Sequence, residues 1–204
     1  MPSQPVNKIQ FERYLAQTAS IAIDAISCFE LQYSLAVPSH QKKYKDVFAK
    51  HEKVFAFVRP AIFSFLVLSL FKLLDESKNP VSMHRCISMA LQLSLISKEQ
   101  KKILTAQINR VKPIWKQVCT LRHQAVAHRD HTVSISKVFE SANVSPKDLR
   151  TLALTYCDVV NVLMKACGSA GFNPREYSKR LFENSQVFLD DLLVAARRVN
   201  STES

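Results

Sequence analysis

Residues 97–128, SKEQKKILTAQINRVKPIWKQVCTLRHQAVAH, decide the fold. Ser97 followed by Gln100 is a capping box, in which a hydroxyl and a side-chain amide each satisfy a free backbone N–H at a helix start. Apolar residues then recur at helical spacing with no glycine among them, so a helix runs from there to about His128, kinked at Pro113. The chain has only two glycines, Gly168 and Gly171, and they sit together. No Gly-rich loop is available to cradle a phosphate, which removes P-loop and dinucleotide-binding readings.

Other helices are marked off by proline and by caps. A first helix spans about Val6 to Val37 and ends at Pro38. A basic segment, Gln41 to Lys53, leads into a second apolar helix that Pro60 should kink or break and that ends near Asp75. A third covers about Ser82 to Leu95. After a loop from about His131 to Val144, Ser145-Pro146-Lys147-Asp148 opens a fifth helix with a cap, a proline at the first helical position and an acid in the first turn. It ends near Gly168, and Asn173-Pro174 starts a last helix that runs to about Val199. The expectation is a single all-α domain over residues 1–200, a bundle of about six helices, with residues 201–204 as a disordered tail.

Apolar residues make up 47% of the 204, enough for a core without covalent staples. Lys and Arg number 28 against 17 Asp and Glu, leaving a formal charge of +11 that favours anionic partners, nucleic acid first. Five cysteines, widely spaced and with no Cys-x-x-Cys pair, read as reduced, buried thiols of a cytoplasmic protein. The N-terminus lacks a basic start followed by an apolar block, so no secretory signal is expected. Val54 to Leu74 resembles a membrane span, but Arg59 and Lys72 leave an uncharged stretch shorter than the ~20 residues a bilayer needs. A helix buried on most sides is expected there instead, with no membrane partner.

The end of the opening stretch carries candidate chemistry. Arg122 and His128 stand six positions apart, with the polar His123 after the arginine and Arg129-Asp130 after the histidine. On a continuous helix they flank Ala125, each about 60° to one side and one turn away, roughly 9 Å apart along the axis. A small alanine between them lets another helix approach, and the same helix from a second subunit would bring two Arg–His pairs into one groove. The spacing permits such a composite site and does not require it. His128 would act as general base on a ribose 2′-hydroxyl and Arg122 would hold the scissile phosphate. His123 or Asp130 would orient either partner, with Arg129 in support. Trp115 would stack on an unpaired base, or else fill the core, and Lys112 and Lys116 would follow an RNA backbone. With eleven arginines and six histidines, chance alone supplies about one such pair in a chain of this composition. Position at the end of a long capped helix is what raises this one. The alternative is a structural Arg and His placed against the helix's partial negative charge.

The run Arg122 through Asp130, with its Ala-His-Arg-Asp ending, resembles the signature of the HEPN superfamily, nearest to its AbiU-like branch associated with phage abortive infection. The similarity extends to the helix ending Phe71-Lys72-Leu73-Leu74-Asp75, the Ser82 helix start and the Ser145-Pro146 helix, about Val54 to Leu163 in all. It implies a HEPN-like all-α bundle, dimeric about a two-fold axis, with paired Arg–His motifs lining a cleft at the interface. It implies a metal-independent RNase in phage defence or toxin activity that leaves 2′,3′-cyclic phosphate and 5′-hydroxyl ends. RNA is the implied substrate, no cofactor is required, and an antitoxin or regulatory partner is in keeping with such a role. Other members have lost activity, so a non-catalytic RNA- or nucleotide-binding module, or a protein-interaction module, is the alternative. A zinc site from His123, His128, Asp130 and His131 has no cysteine nearby and no regular ligand spacing, so no metal is expected. A Ser-His-Asp hydrolase finds no glycine for a nucleophile elbow.

Overall fold

The computed structural model describes residues 7–75, 81–127 and 141–202, the side chains of 124–127 and 198–202 excepted. Side-chain caps set most of the helix starts. Asn7 accepts the Gln10 backbone N–H at 2.8 Å and opens α1 (Lys8–Ala36). Two short helices follow, α2 (Pro38–Lys43) and α3 (Lys45–Lys50), then α4 (Glu52–Lys72). The Ser82 hydroxyl accepts from the Arg85 N–H and opens α5 (Met83–Gln92). Ser97 and Gln100 bond reciprocally, at 2.8 and 3.1 Å, to open α6 (Lys98–Ala127). Ser145 and Asp148 form the second capping box, with Pro146 at the first position of α7 (Pro146–Ala166). Asn173 accepts from the Arg175 and Glu176 N–H groups at the head of α8 (Pro174–Thr202).

Among the described residues the chain is therefore all-α, with eight helices and no strand. The two beyond the expected six, α2 and α3, lie just before and within the basic segment expected to lead into the second long helix. Pro38 ends α1 as expected, yet it also starts α2, since a proline suits the first turn where an N–H has no acceptor anyway. Tyr44 and Val47 are fully buried and pack with Leu35, Phe55, Leu189 and Leu193 in a small second core. The Tyr44 hydroxyl donates to Asp190 at 3.0 Å, and Lys43 pairs with the same carboxylate at 2.7 Å. His40, also buried, stacks on Phe182 and bonds Gln186. The lysines lie outward while these residues pin the segment to α8. Neither interior proline breaks its helix: α4 and α6 run on through Pro60 and Pro113, both exposed. α8 continues to Thr202, two residues into the stretch expected to be disordered.

The main core surrounds α1, which packs against α4, α5, α7 and α8. Ala19, Ala22 and Ala25 on its buried faces allow close approach, and Phe11, Ile26 and Phe29 fill the space between. α6 lies against α4 on one side and α7 on the other.

The expectation that the apolar second helix is buried on most sides is not met. α4 has a mean hydropathy of 2.1, yet only 33% of that stretch is buried. Phe63, Leu66, Val67 and Leu70 enter the core, while Val54, Phe57 and Phe65 are 57%, 76% and 49% exposed. The reason is that its neighbours, α1, α3 and α6, leave one side open while its apolar residues go all the way round. By length and composition α4 is also a helix able to cross a membrane.

Among the described residues Glu30 is the one acid buried completely, on the face of α1 turned to α7 and α8. Its Oε1 accepts from Arg150 Nε at 2.9 Å and from the Ser178 hydroxyl, while Oε2 has no partner. Burial pushes this carboxyl up from its ordinary value of 4.5, against the Ser178 hydroxyl and the Arg150 guanidinium, which pull it down. A carboxyl raised on folding keeps its proton longer in the native state than in the unfolded chain. Its contribution to stability is thus full below the unfolded value and is lost as pH rises through the folded one. Glu30→Gln is expected to flatten the fall in thermal midpoint from pH 4.5 upward, followed by circular dichroism. A midpoint that still falls as steeply as in the wild type would assign that slope to other groups.

Candidate functional site

α6 carries the candidate residues, and its sequence explains what each faces. Leu104, Ile108, Val111, Val118 and Leu121 are buried, so this row fixes the helix on the core. Lys102, Lys112, Lys116 and His123 fall within about 80° of one another on the opposite side, by the 100° step of an α-helix. All four are exposed. The helix holds seven Lys and Arg against a single acid, Glu99. This face is a cationic strip of the kind that follows a phosphate backbone.

Arg122 points elsewhere. It is half-buried, and its guanidinium lies over the Phe71 ring at 4.2 Å from the centroid. Phe71 comes from the last turn of α4. The same ring stacks on Trp115 at 5.9 Å and 17°, and the Trp115 indole N–H donates to the Phe71 carbonyl at 3.0 Å. Trp115 and Arg122 stand seven residues apart, two turns of α6, and this heptad spacing brings both to one residue of α4. Among the described residues nothing accepts a hydrogen bond from the Arg122 guanidinium. Cys119, one turn before Arg122, is half-buried. Burial, then the Asp75 carboxylate, push its thiol up, while the Arg122 charge pulls it down. Arg122, Cys119 and Asp75 are thus electrostatic neighbours at this end of the bundle.

His123 is exposed beside Arg122. His128, Arg129 and Asp130 lie outside the described residues, as does His131. The structure brings together Arg122 and Trp115, through Phe71, and sets Lys112, Lys116 and His123 on the adjoining face. Phe71 carries no mark in the sequence that would single it out from other core aromatics. The regular spacing of Trp115 and Arg122 was the available signal, and it needed a partner from α4 to acquire meaning. Among the described residues no three His, Cys, Asp or Glu side chains gather as metal ligands. A groove of about 470 Å³ lies along the start of α1, lined by Asn7, Gln10, Arg13, Tyr14 and their neighbours. It is walled by that helix alone and includes none of the residues above, so it is not the site of this chemistry.

The family described as AbiU2, within the HEPN superfamily, matches the chain over residues 8–188. That span takes in every helix named here except the end of α8. No curated protein and no solved structure matches the chain.

Trp115→Phe keeps an aromatic ring and removes the indole N–H. It is expected to lower stability to urea by about 1 kcal/mol, the net value of one such bond. Unchanged stability would mean the bond to the Phe71 carbonyl has no net worth.

Proposed function

The chain belongs to the AbiU2 family of the HEPN superfamily, and from that premise we propose that it is a metal-independent endoribonuclease. Its setting in this reading is the cytoplasm, in phage defence or as a toxin, with a neutralising or regulatory partner. Arg122 and His128 are its catalytic pair. The observation that carries the reading is the state of Arg122: half-buried, its guanidinium carbon over the Phe71 ring, with no hydrogen-bond acceptor for it among the described residues. A guanidinium held over a neutral ring rather than by a carboxylate keeps its charge for an anion.

In the proposed reaction His128 takes the proton from a ribose 2′-hydroxyl. The 2′ oxygen attacks the adjacent phosphorus, and the bond from phosphorus to the 5′ oxygen breaks. The leaving oxygen takes a proton from the second subunit's imidazole. Products are a 2′,3′-cyclic phosphate and a 5′-hydroxyl. Arg122 offsets the charge that builds on the phosphate oxygens. The cationic face with Lys112 and Lys116 guides the strand towards this end of α6. His123 and Asp130 orient the pair and Arg129 adds charge. The homodimer is supported by the open apolar side of α4, a surface that association would remove from water.

Purified wild type, Arg122→Ala and His128→Ala, each incubated with total RNA in EDTA, test this. Wild type is expected to cleave and both variants to lose about a hundredfold or more. Intact RNA with the wild type would overturn it. A second reading, RNA binding without cleavage, is favoured by a cationic face that is complete without the imidazole. Binding kept by His128→Ala with product in no tube would select it. The homodimer is tested separately by light scattering, which should give twice the 23.2 kDa mass of the chain. A monomer would refute the shared groove.

A further inference from the structure

Phe71 touches both Trp115 and Arg122. The Trp115 ring lies 5.9 Å from its ring centroid and the Arg122 guanidinium carbon 4.2 Å from it. One residue of α4 thus meets two residues that stand two turns apart on α6. We propose that Phe71 is the positioning residue for the Arg122 guanidinium, and that Trp115 is the support that holds Phe71 in place. The inference rests on the reading of Arg122 as a phosphate-binding group.

Several observations carry it. An arginine near the end of a helix has many rotamers of similar energy, and ordering it on a ligand is costly. A ring against the guanidinium removes much of that freedom before any ligand arrives, through a cation–π contact that leaves the charge unneutralised. The ring is itself held twice. Trp115 stacks on it at 17°, and the indole N–H bonds the carbonyl of the same residue, so side chain and backbone are both fixed from α6. Phe71 is half-buried and close to the last turn of α4, where a helix end would otherwise be free to fray. Through this one residue the placement of Arg122 depends on α4 as well as on its own helix. Trp115 then acts on the site from behind Phe71.

The test separates placement of the arginine from cleavage by using a strand that resists cleavage. A single-stranded DNA oligonucleotide has the phosphodiester and lacks the 2′-hydroxyl. Its affinity is measured by fluorescence anisotropy for wild type, Phe71→Leu, Phe71→Tyr, Arg122→Ala and the double variant Phe71→Leu/Arg122→Ala. Phe71→Leu is expected to weaken binding roughly fivefold to tenfold, between the exposed and the desolvated limits of a cation–π contact, as suits a half-buried pair. Phe71→Tyr, which keeps the ring, should restore it to within about twofold. In the Arg122→Ala background Phe71→Leu should change nothing further, because a positioning residue has no effect once its client is gone. Wild-type affinity in Phe71→Leu would overturn the proposal, and so would an equal loss in both backgrounds, which is the mark of general destabilisation. A wild type that does not bind the oligonucleotide would overturn it as well. Failure of the ribonuclease reading shows differently, as intact RNA in the cleavage assay while the binding pattern of these variants stands.

Discussion

A long helix surrounded by four others needs a surface fine enough for neighbours to come close, and α1 supplies one with Ala19, Ala22 and Ala25. Close packing of this kind is unforgiving of volume, because each methylene added or removed at such a contact is felt by its neighbours. Glu30 adds a directional constraint near the end of the same helix. A carboxylate with no exposure has to meet its donors, and these come from α7 through Arg150 and from α8 through Ser178. The alanines therefore set how near α4 and α7 lie, and the acid fixes how α7 and α8 are turned. With α4 and α7 placed, α6 has one slot between them. The meeting of Phe71 with Trp115 and Arg122 follows from where α1 puts α4.

Much of this architecture was legible because helix starts are local events. A hydroxyl or amide three residues before a suitable partner closes a bond that depends on nothing distant, and Ser97, Ser145 and Asn173 all do so. The two short helices around 38–50 were not legible for the opposite reason. The lysines of this segment stand out in the sequence, but Tyr44 and Val47 draw it onto α8, where Asp190 lies 146 residues along the chain from Tyr44. Nothing within the segment announces that partner. Pro60, expected to kink or break α4, does not break it. A proline's harm depends on what surrounds the carbonyl it leaves without a donor, and this one is exposed. The open side of α4 is a matter of number: too few helices pack on it to cover a surface apolar all round.

The site divides in the same way. Arg122, His123, Lys112 and Lys116 were readable as residue types at helical spacing, and the structure exposes Lys112, Lys116 and His123 and half-buries Arg122. The family assignment over residues 8–188 agrees with the resemblance carried by the Arg122 to Asp130 run. What spacing did not reveal was how the arginine is held. Its partner sits 51 positions earlier, in a helix whose aromatic residues otherwise look interchangeable. Phe63 goes into the core, Phe57 and Phe65 face outward, and Phe71 meets Trp115 and Arg122 of α6. Those fates are settled by which neighbour each residue finds, and α4 taken alone does not encode it.

A phosphate-binding arginine has to satisfy two demands that oppose each other. It must be ordered enough to present its donors, yet not so well paired that its charge is already spent. A carboxylate bonded to the guanidinium would order it and at the same time compete with phosphate for the same N–H groups. Asp75 lies in this neighbourhood, close enough to act on the Cys119 thiol alongside Arg122. Among the described residues the contact the structure gives Arg122 is instead with a ring that carries no net charge. Full burial would force the cation to find an anion within the protein, and full exposure would leave it to sample every rotamer. Half-burial on Phe71 avoids both. The aromatic at the end of α4 is thus the cheapest way this bundle has to hold a charge still without neutralising it.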